Sequence, residues 1–372
     1  MLRNIAAANM VAAMVAAKDS ALQHGAGGGD APTVRPLPLF LEMVQGMAGE
    51  DATLARDALA GLRIYGAAKR PVAIERPILA RAGGAMLRDC GGASDGARAP
   101  VILIPSLINP ARILDLTPGN SFAEFLADSG YHVLLVDWGA GDSADAAMTI
   151  GDHVEQRLLP LMAAVGAPAH LVGYCLGGTM ALAAATLAPA RSLTQIAAPW
   201  HFLRYEARAK AAMAQLWAEQ GAMVQALGQL PMESLQSLFW SIAPQRTVRK
   251  FAALAHMPAD DPRIANFAVL EDWANGGAPL TAAVAAELLH HFPNDDPCGA
   301  GRWQVAGRII SPRSLTIPAH HFTASDDRIA PAASACDAII ATPCPSGHVG
   351  MLAGSRARDG LWSALAAWLG QH

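Results

Sequence analysis

The stretch GYCLGG, residues 173–178, decides the fold of this chain. An apolar run at residues 170–172 precedes it and is typical of a buried strand, whereas residues 179–185 (TMALAAA) are typical of a helix. A strand, a sharp turn and a helix in this order are the setting of a nucleophile elbow, here with cysteine where serine is usual. The flanking glycines let the backbone turn tightly. The pattern predicts that the sulfur of Cys175 stands at the turn tip, beside a helix N-terminus that favours a thiolate.

The residues around the elbow alternate between short apolar runs and helical patterns. Strands are predicted at residues 101–104, 133–136 and 170–172, and helices at 122–129 and 154–165. The alternation resumes with strands at 315–322 and 338–340 and ends with a helix at 358–369. This order predicts an α/β protein whose mostly parallel sheet carries helices on both faces.

Residues 201–308 interrupt the alternation. Their long helical and irregular patterns are rich in Met, Trp and Leu, which predicts an inserted helical cap. We therefore expect an α/β core built from residues 95–200 and 309–372, with the cap between its two halves.

The first part of the chain, residues 1–94, is predicted to be a helical segment. Residues 1–17 are Ala-rich with a single early charge, which favours an N-terminal helix over a secretory signal. A glycine-rich linker follows at residues 25–32, and residues 37–68 carry apolar side chains at helical spacing. No apolar run reaches the length of a membrane span.

The composition limits the classes of function. The chain has 372 residues, 52% hydrophobic and 16% charged, so it can bury a large core. A net charge of -4 without a long basic run disfavours nucleic-acid binding. Five cysteines without metal-ligand spacing indicate a reducing compartment, which favours the cytoplasm. The histidine pairs at 290–291 and 320–321 lack a third ligand at suitable spacing, so neither a metal site nor a cofactor is predicted.

A thiol nucleophile needs a base to take its proton and an acid to orient that base. In this arrangement the acid and then the histidine follow the nucleophile, each just after a strand. Asp327 follows the strand that ends at residue 322, and His348 follows the strand around residue 340. Asp326 competes with Asp327, and chain order alone does not choose between them. A small buried cysteine, a solvated carboxylate and a surface imidazole are the alternative interpretation.

The oxyanion of an acyl-transfer intermediate needs backbone N–H donors near the nucleophile. Leu176, directly after Cys175, is expected to supply one donor. Ile108, in the loop after the first core strand, is expected to supply the other. Asp137, at the end of the next strand, is expected to be structural and to tie down a loop.

These residues together resemble a known family, the polyhydroxyalkanoate synthases of the α/β-hydrolase superfamily, especially the short-subunit kind. The resemblance covers residues 100–372. It depends on the elbow and on the segments SLINPARILDL (106–116), VDWG (136–139), EDW (271–273), DRIAP (327–331) and SGH (346–348). One departure is the stretch SDDR at residues 325–328, where family members commonly read REDH.

The resemblance implies an acyltransferase that polymerises 3-hydroxyacyl-coenzyme A thioesters into polyhydroxyalkanoate. It implies that Cys175 carries the growing acyl chain, that His348 activates the thiol and that Asp327 supports reaction of the incoming hydroxyl. The aligned position favours Asp327 over Asp326. The expected partners are the thioester substrate and the polyester product or granule surface. A homo-oligomer, a homodimer above all, is also expected, and a second subunit stays open.

Two other functions stay open at this point. A cysteine-nucleophile hydrolase, such as a thioesterase, an esterase or a dienelactone-hydrolase-like enzyme, would use the same triad. Asp327 lies 152 positions beyond Cys175 (327 - 175), which leaves room for a cap that the compact dienelactone hydrolases lack. The other alternative is a non-catalytic scaffold protein of polymer granules.

Overall fold

An eight-stranded sheet forms the centre of the protein, for which a computed structural model describes residues 37–93, 98–140 and 145–372. Its strands are β1 (Ile78–Ala82), β2 (Ala85–Asp89), β3 (Val101–Ile104), β4 (Val133–Asp137), β5 (His170–Tyr174), β6 (Ser192–Ile196), β11 (Ala319–Ala324) and β12 (Ile340–Cys344). Four further strands form two small ribbons: β7 (Gln229–Leu230) with β8 (Leu280–Thr281), and β9 (Gln304–Val305) with β10 (Arg308–Ile309).

The strand order is β1-β2-β4-β3-β5-β6-β11-β12, and every pairing from β4 to β12 is parallel. Only β1 with β2 and β2 with β4 pair antiparallel within this sheet. The predicted α/β class with a mostly parallel sheet is therefore confirmed. The sequence predicts no strand before residue 101, because β1 and β2 are short and half-exposed and carry no apolar run. Both belong to the sheet although they precede the predicted core boundary at residue 95.

Two predicted strands are displaced in the structure. The strand predicted at 315–322 begins at Ala319, because residues 312–314 form a turn of 3-10 helix. The strand predicted at 338–340 begins at Ile340, because the N–H of Ile339 closes a turn onto the carbonyl of Cys336. Both shifts move the strand ends closer to the loops that carry Asp327 and His348.

Helices cover the sheet and fill the long connection between β6 and β11. They are α1 (Leu37–Ala48), α2 (Ala52–Ala67), α3 (Phe122–Asp128), α4 (Ile150–His153), α5 (Leu159–Ala164), α6 (Leu176–Leu187), α7 (Ala207–Leu227), α8 (Met232–Ile242), α9 (Pro244–Leu254), α10 (Pro262–Ala274), α11 (Ala282–Ala286), α12 (Phe292–Asp295), α13 (Gly350–Ala353) and α14 (Ser363–Leu369). Turns of π-helix at Val154–Leu158, Glu287–His291 and Arg358–Trp362 join or extend several of them. Residues 197–318, which include the predicted insertion 201–308, contribute no strand to the eight-stranded sheet. Their four short strands pair only within the two ribbons.

Alternate residues of the central strands pack on opposite faces of the sheet. In β3, Ile102 and Ile104 join a cluster with α6, whereas Val101 and Leu103 join a cluster with α3 and α14. All four side chains are buried. A strand buried on both faces reads as a continuous apolar run, which is why the sequence identified it.

The first two helices pack on the long connection between β6 and β11. Phe40 of α1 lies 4.8 Å from Phe251 of α9 between ring centroids, and Tyr65 of α2 lies 5.6 Å from the same ring. Tyr65 also donates a hydrogen bond to Asp272 of α10. The predicted helix at 1–17 and linker at 25–32 fall outside the described residues. In the part of the chain that is described, no helix combines the length and hydropathy needed to cross a membrane.

Candidate active site

Cys175 lies at a sharp corner between β5 and α6. Its backbone has φ 55 and ψ -130, a conformation that is strained for a residue with a side chain. The corner is possible because glycines flank it: a Cβ on Gly177 would lie 2.2 Å from the carbonyl oxygen of Ile104. A Cβ on Gly173 would lie 2.5 Å from the Cα of Gly178. The glycines thus let the start of α6 approach both β3 and β5, which holds the cysteine at the corner.

The structure brings Cys175, His348 and Asp327 together. The Nδ1 of His348 lies 2.6 Å from Oδ2 of Asp327, and the same imidazole stands beside Cys175 in the wall of one cavity, close enough for the charge of the sulfur to act on the ring. The exposed fractions are 8% for Cys175, 8% for His348 and 9% for Asp327. With Asp327 on Nδ1, the opposite ring nitrogen is the one available to the thiol. The arrangement can take a proton from sulfur and hold the resulting imidazolium.

The loop after β11 fixes the Asp327 carboxylate. Its Oδ1 accepts hydrogen bonds from the N–H groups of Ile329, at 2.8 Å, and Ala330, at 2.9 Å. The other oxygen is thereby directed at His348. Asp326 is exposed, and its side chain makes no hydrogen bond with a described residue. Of the two carboxylates that chain order left open, the geometry joins Asp327 to the histidine.

Burial and charge act in opposite directions on His348. Burial lowers the pKa of the imidazole, but the nearby Cys175 sulfur and the Asp327 carboxylate, through charge and hydrogen bonds, raise it above its ordinary value. The ring of Tyr174 lies 5.0 Å from the imidazole and covers it. The site therefore favours the charged form of His348 next to the sulfur.

The other four cysteines lie in different surroundings. Burial raises the thiol pKa of each of them, to about 12 for Cys90 and about 11 for Cys336. The remaining two are Cys298 and Cys344. A thiol that stays protonated is a poor nucleophile, so these four cysteines are poorly suited to nucleophilic chemistry.

A cavity of about 290 Å³ opens over Cys175. Its wall combines Cys175 and His348 with apolar side chains from the connection between β6 and β11. Those side chains are Phe239, Trp240, Ile242 and Trp273. A mostly apolar cavity with a few polar groups converging on a nucleophile is typical of a small-molecule site.

The N–H groups of the two predicted oxyanion donors differ in whether they already have a hydrogen-bond partner. Leu176 begins α6, and the N–H groups of a first helical turn have no partner within the helix. Ile108 lines the cavity, but its N–H lies 3.2 Å from Oγ of Ser106, to which it donates. Use of Ile108 as an oxyanion donor would require exchange of this long hydrogen bond.

The loop around Ile108 is tied to the end of α10 by side chains whose contacts the sequence does not predict. The amide of Asn109 donates to the carbonyls of Ala274 and Gly276 at 3.2 Å each, and the indole of Trp273 donates to the carbonyl of Pro110 at 2.9 Å. The Asp137 carboxylate has the expected structural role, since it accepts from the N–H of Gly139 at 3.0 Å.

Basic residues on α9 also contribute to the site, although the sequence did not predict them there. Lys250 lines the cavity and lies 2.6 Å and 2.8 Å from the two carboxylate oxygens of Glu271, which is 4% exposed. Arg246, Arg249 and Lys250 stand at i, i+3 and i+4, so they share one face of the helix. The sequence shows this spacing, but it does not show that the basic face of α9 lies beside Cys175.

The histidine pairs have local partners. His321 accepts a hydrogen bond from the N–H of Ala198 at 3.1 Å, and His320 lies 2.9 Å from Oγ1 of Thr342. His290 lies 3.2 Å from the amide of Asn294. Across the described ranges, no group of three or more His, Cys, Asp or Glu side chains is arranged to hold a metal ion.

Comparison with known proteins adds family information to this geometry. Residues 99–352 match the model of the α/β hydrolase fold family. The chain is 24% identical over 294 residues to the poly(3-hydroxyalkanoate) polymerase subunit PhaC of Haloferax mediterranei, covering 73% of this chain and 59% of that protein. It is 26% identical over 295 residues to the protein of the same name from Synechocystis sp., covering 73% of this chain and 78% of that protein.

Among solved structures, the enol-lactonase from Burkholderia xenovorans LB400 aligns with a TM-score of 0.48 and 16% identity, covering 79% of this chain and 100% of that chain. The match to the Haloferax protein spans less than two thirds of that protein's length.

Proposed function

Because this chain belongs to the α/β-hydrolase fold family and is related to poly(3-hydroxyalkanoate) polymerase subunits, we propose that it is an acyltransferase that polymerises 3-hydroxyacyl-coenzyme A thioesters. The observation that carries this proposal is the His348 imidazole, which stands beside Cys175 and is hydrogen-bonded to Asp327, beneath an apolar cavity. The product is a polyhydroxyalkanoate chain held as a thioester.

The first step loads the acyl group. The proton of Cys175 passes to His348, and the sulfur attacks the thioester carbonyl. A carbon–sulfur bond to Cys175 forms in a tetrahedral intermediate, whose oxyanion is stabilised by the N–H of Leu176 and by that of Ile108 once it is released from Ser106. The bond to the coenzyme A sulfur then breaks, and the departing thiolate takes the proton from His348. Asp327 holds the imidazolium throughout and does not itself take the proton.

The second step extends the chain. His348 takes the proton of the 3-hydroxyl of another substrate molecule, and the hydroxyl oxygen attacks the carbonyl of the acyl-cysteine. A new ester bond forms, the bond to Cys175 breaks, and the thiolate recovers the proton from His348. The lengthened chain is now on coenzyme A and returns to Cys175 by a repeat of the first step.

Thiol chemistry suits transfer better than hydrolysis. Exchange between coenzyme A and Cys175 replaces one thioester by another, so the acyl group keeps its activation for attack by an alcohol. An acyl-serine ester would lose that activation. Cysteine is also more ionised than serine near neutral pH, most of all beside an imidazolium. The apolar wall of Phe239, Trp240 and Trp273 disfavours water at the acyl group.

The setting of the reaction follows from the same proposal. We expect the protein to act in the cytoplasm and at the surface of polymer granules, and to form a homo-oligomer, a homodimer above all. Light scattering of the purified chain, with and without substrate, measures the oligomeric state.

Mass spectrometry of the intact protein after exposure to 3-hydroxybutyryl-coenzyme A tests the proposal. We expect mass increments of one or more hydroxybutyryl units on Cys175, together with release of coenzyme A and retention of the product as oligomer. Cys175→Ala should show no increment, whereas Cys344→Ala, at a half-exposed cysteine outside the cavity, should acylate like the parent. Release of free 3-hydroxybutyrate alone would establish a thioesterase instead. Equal behaviour of Cys175→Ala and the parent would leave only a scaffold role.

A further inference from the structure

A groove rich in arginine continues the catalytic cavity outward. Its volume is about 870 Å³, within the range of small-molecule sites. Six residues line both the groove and the cavity, so the two form one continuous space: Ile242, Ala243, Arg246, Lys250, Asp326 and Arg328. A ligand in the groove would therefore lie next to whatever occupies the cavity over Cys175.

Four arginines surround this groove from three parts of the chain. Arg208 comes from α7, Arg246 and Arg249 come from α9, and Arg328 comes from the loop after β11. All four are exposed. Among residues 37–93, 98–140 and 145–372, none of the four guanidinium groups has a hydrogen bond or an ion pair. By contrast, arginines elsewhere, such as Arg88, are bound to carboxylates.

The groove carries an excess of positive charge. Lys250 is neutralised by Glu271, at 2.6 Å, so it adds no net charge. Asp326 also lines the groove and offsets one arginine, which leaves an excess of three positive charges from the four arginines. The whole chain has a net charge of -4, so this excess is local. A local cluster of unpaired guanidinium groups attracts and orients an anion of several charges.

The chemistry of the anion follows from the position of the groove. Guanidinium forks match the paired oxygens of a phosphate, and several such forks fit a ligand with more than one phosphate. A ligand that also reaches Cys175 must carry its phosphates at a distance from its reacting sulfur. A single carboxylate on the acyl chain would not use four arginines. The leaving group of a coenzyme A thioester carries several phosphates, and they lie at a distance from its sulfur.

We propose that Arg208, Arg246, Arg249 and Arg328 form the binding site for the nucleotide phosphates of the acyl donor, while its thioester reaches Cys175. This inference depends on the proposed function for the identity of the donor. It assigns the phosphate contacts to one groove and four side chains. Through them the enzyme would discriminate a coenzyme A thioester from a thioester of the same acyl group without phosphates.

The test uses two matched double variants of the full chain. Arg208→Gln/Arg249→Gln removes two arginines that line the groove but not the cavity. Arg63→Gln/Arg313→Gln removes two exposed arginines outside the groove and changes the net charge equally. Binding of 3′-phosphoadenosine 5′-phosphate is measured by calorimetry. We expect the dissociation constant to rise about tenfold in the groove variant and to stay at the parent value in the control.

Kinetics give the second measurement. The ratio of kcat/KM for 3-hydroxybutyryl-coenzyme A to that for 3-hydroxybutyryl-N-acetylcysteamine, which has no phosphate, should fall about tenfold in the groove variant only. Equal losses in both double variants, or no loss in either, would overturn the proposal. Inorganic phosphate that binds as tightly as the nucleotide would also overturn it.

Failure of the proposed function has a different outcome. If neither thioester acylates Cys175 but the nucleotide still binds through the groove arginines, acyl transfer is wrong and the phosphate site stands. If acylation proceeds with no dependence on these arginines, the phosphate site is wrong and acyl transfer stands.

Discussion

Nδ1 of His348 lies 2.6 Å from Oδ2 of Asp327. This contact holds the Nδ1 proton of the ring on Asp327. The other ring nitrogen is then the one that exchanges a proton with Cys175. The position of Asp327 is itself set by the N–H groups of Ile329 and Ala330, so the same loop both carries the carboxylate and directs it at His348.

Asp327→Asn should lower kcat about 1,000-fold or more, because the amide no longer stabilises the imidazolium and can favour the wrong tautomer. Steady-state release of coenzyme A measures this, and alkylation of Cys175 by iodoacetamide should slow as well. Asp326→Asn is the matched comparison, since the carboxylate of Asp326 is exposed and makes no hydrogen bond to the imidazole of His348. A larger loss of kcat from Asp326→Asn than from Asp327→Asn would contradict this assignment.

Gly177→Ala should destabilise the protein by about 3 kcal/mol, because the backbone cannot yield to a methyl group at the elbow. The added Cβ would lie 2.2 Å from the carbonyl oxygen of Ile104 and 2.4 Å from that of Pro105. Urea unfolding measures the change. Gly46→Ala in α1 is the control: its Cβ meets nothing within 4 Å, so this variant should be more stable by about 0.5 kcal/mol. Equal stability of the two variants would show that the elbow is not close-packed.

Acid should destabilise the protein through His321. Burial lowers the pKa of this histidine to about 4 from an ordinary value of 6.5, so its neutral form is the folded one. Its contribution to stability is complete above pH 6.5 and is lost as the pH falls toward 4, on the order of 3 kcal/mol in all. Protonation also removes the acceptor for the N–H of Ala198.

The free energy of unfolding in urea between pH 7 and pH 4.5 measures this effect. His321→Gln keeps an acceptor in the same place but does not titrate, so its stability should vary less with pH than that of the parent. Identical pH profiles for the two proteins would exclude His321 as the source.

Arg76→Met should cost about 3 kcal/mol, because it leaves the Asp115 carboxylate buried without its counter-ion. The guanidinium lies 2.7 Å from Asp115 and 2.9 Å from Glu124, and the Asp115 side chain is 4% exposed. Adding Asp115→Asn to Arg76→Met should restore part of the loss, since Asn still accepts from Ser121, whose hydroxyl lies 2.6 Å away. Thermal unfolding compares the three proteins. A double variant less stable than the single one would mean that Arg76 acts by packing alone.

The sequence predicted the centre of the fold because that centre repeats a simple pattern. Strands such as β3 are buried on both faces, so their sequences are apolar runs. The glycines around Cys175 indicate a tight turn at that position. Chain order and strand ends then pointed to His348 and to two carboxylates. Asp326 and Asp327 could not be separated by order, because neighbouring side chains point in different directions and only the loop fold decides which one meets the histidine.

The rest of the site depends on contacts between distant segments. Lys250 and Glu271 belong to different helices, and each alone reads as a solvated charge. The hydrogen bond from Trp273 to Pro110 joins residues 163 positions apart. The short antiparallel strands β1 and β2 lack an apolar run, so only their pairing with β4 identifies them. Such features follow from tertiary packing, which pattern and spacing do not report.

Under the proposed acyl transfer, the hydrogen bonds that join the loop of Asn109 and Pro110 to the end of α10 have a consequence for the size of acyl group that can react. They join two sides of the cavity, so neither side can retreat without breaking several bonds at once. The junction of α8 and α9 at Ala243 also lines the cavity, and no side chain caps the helix there. Under the proposed acyl transfer, engineering for a bulkier monomer would do best to begin at that junction and leave the Asn109 loop intact.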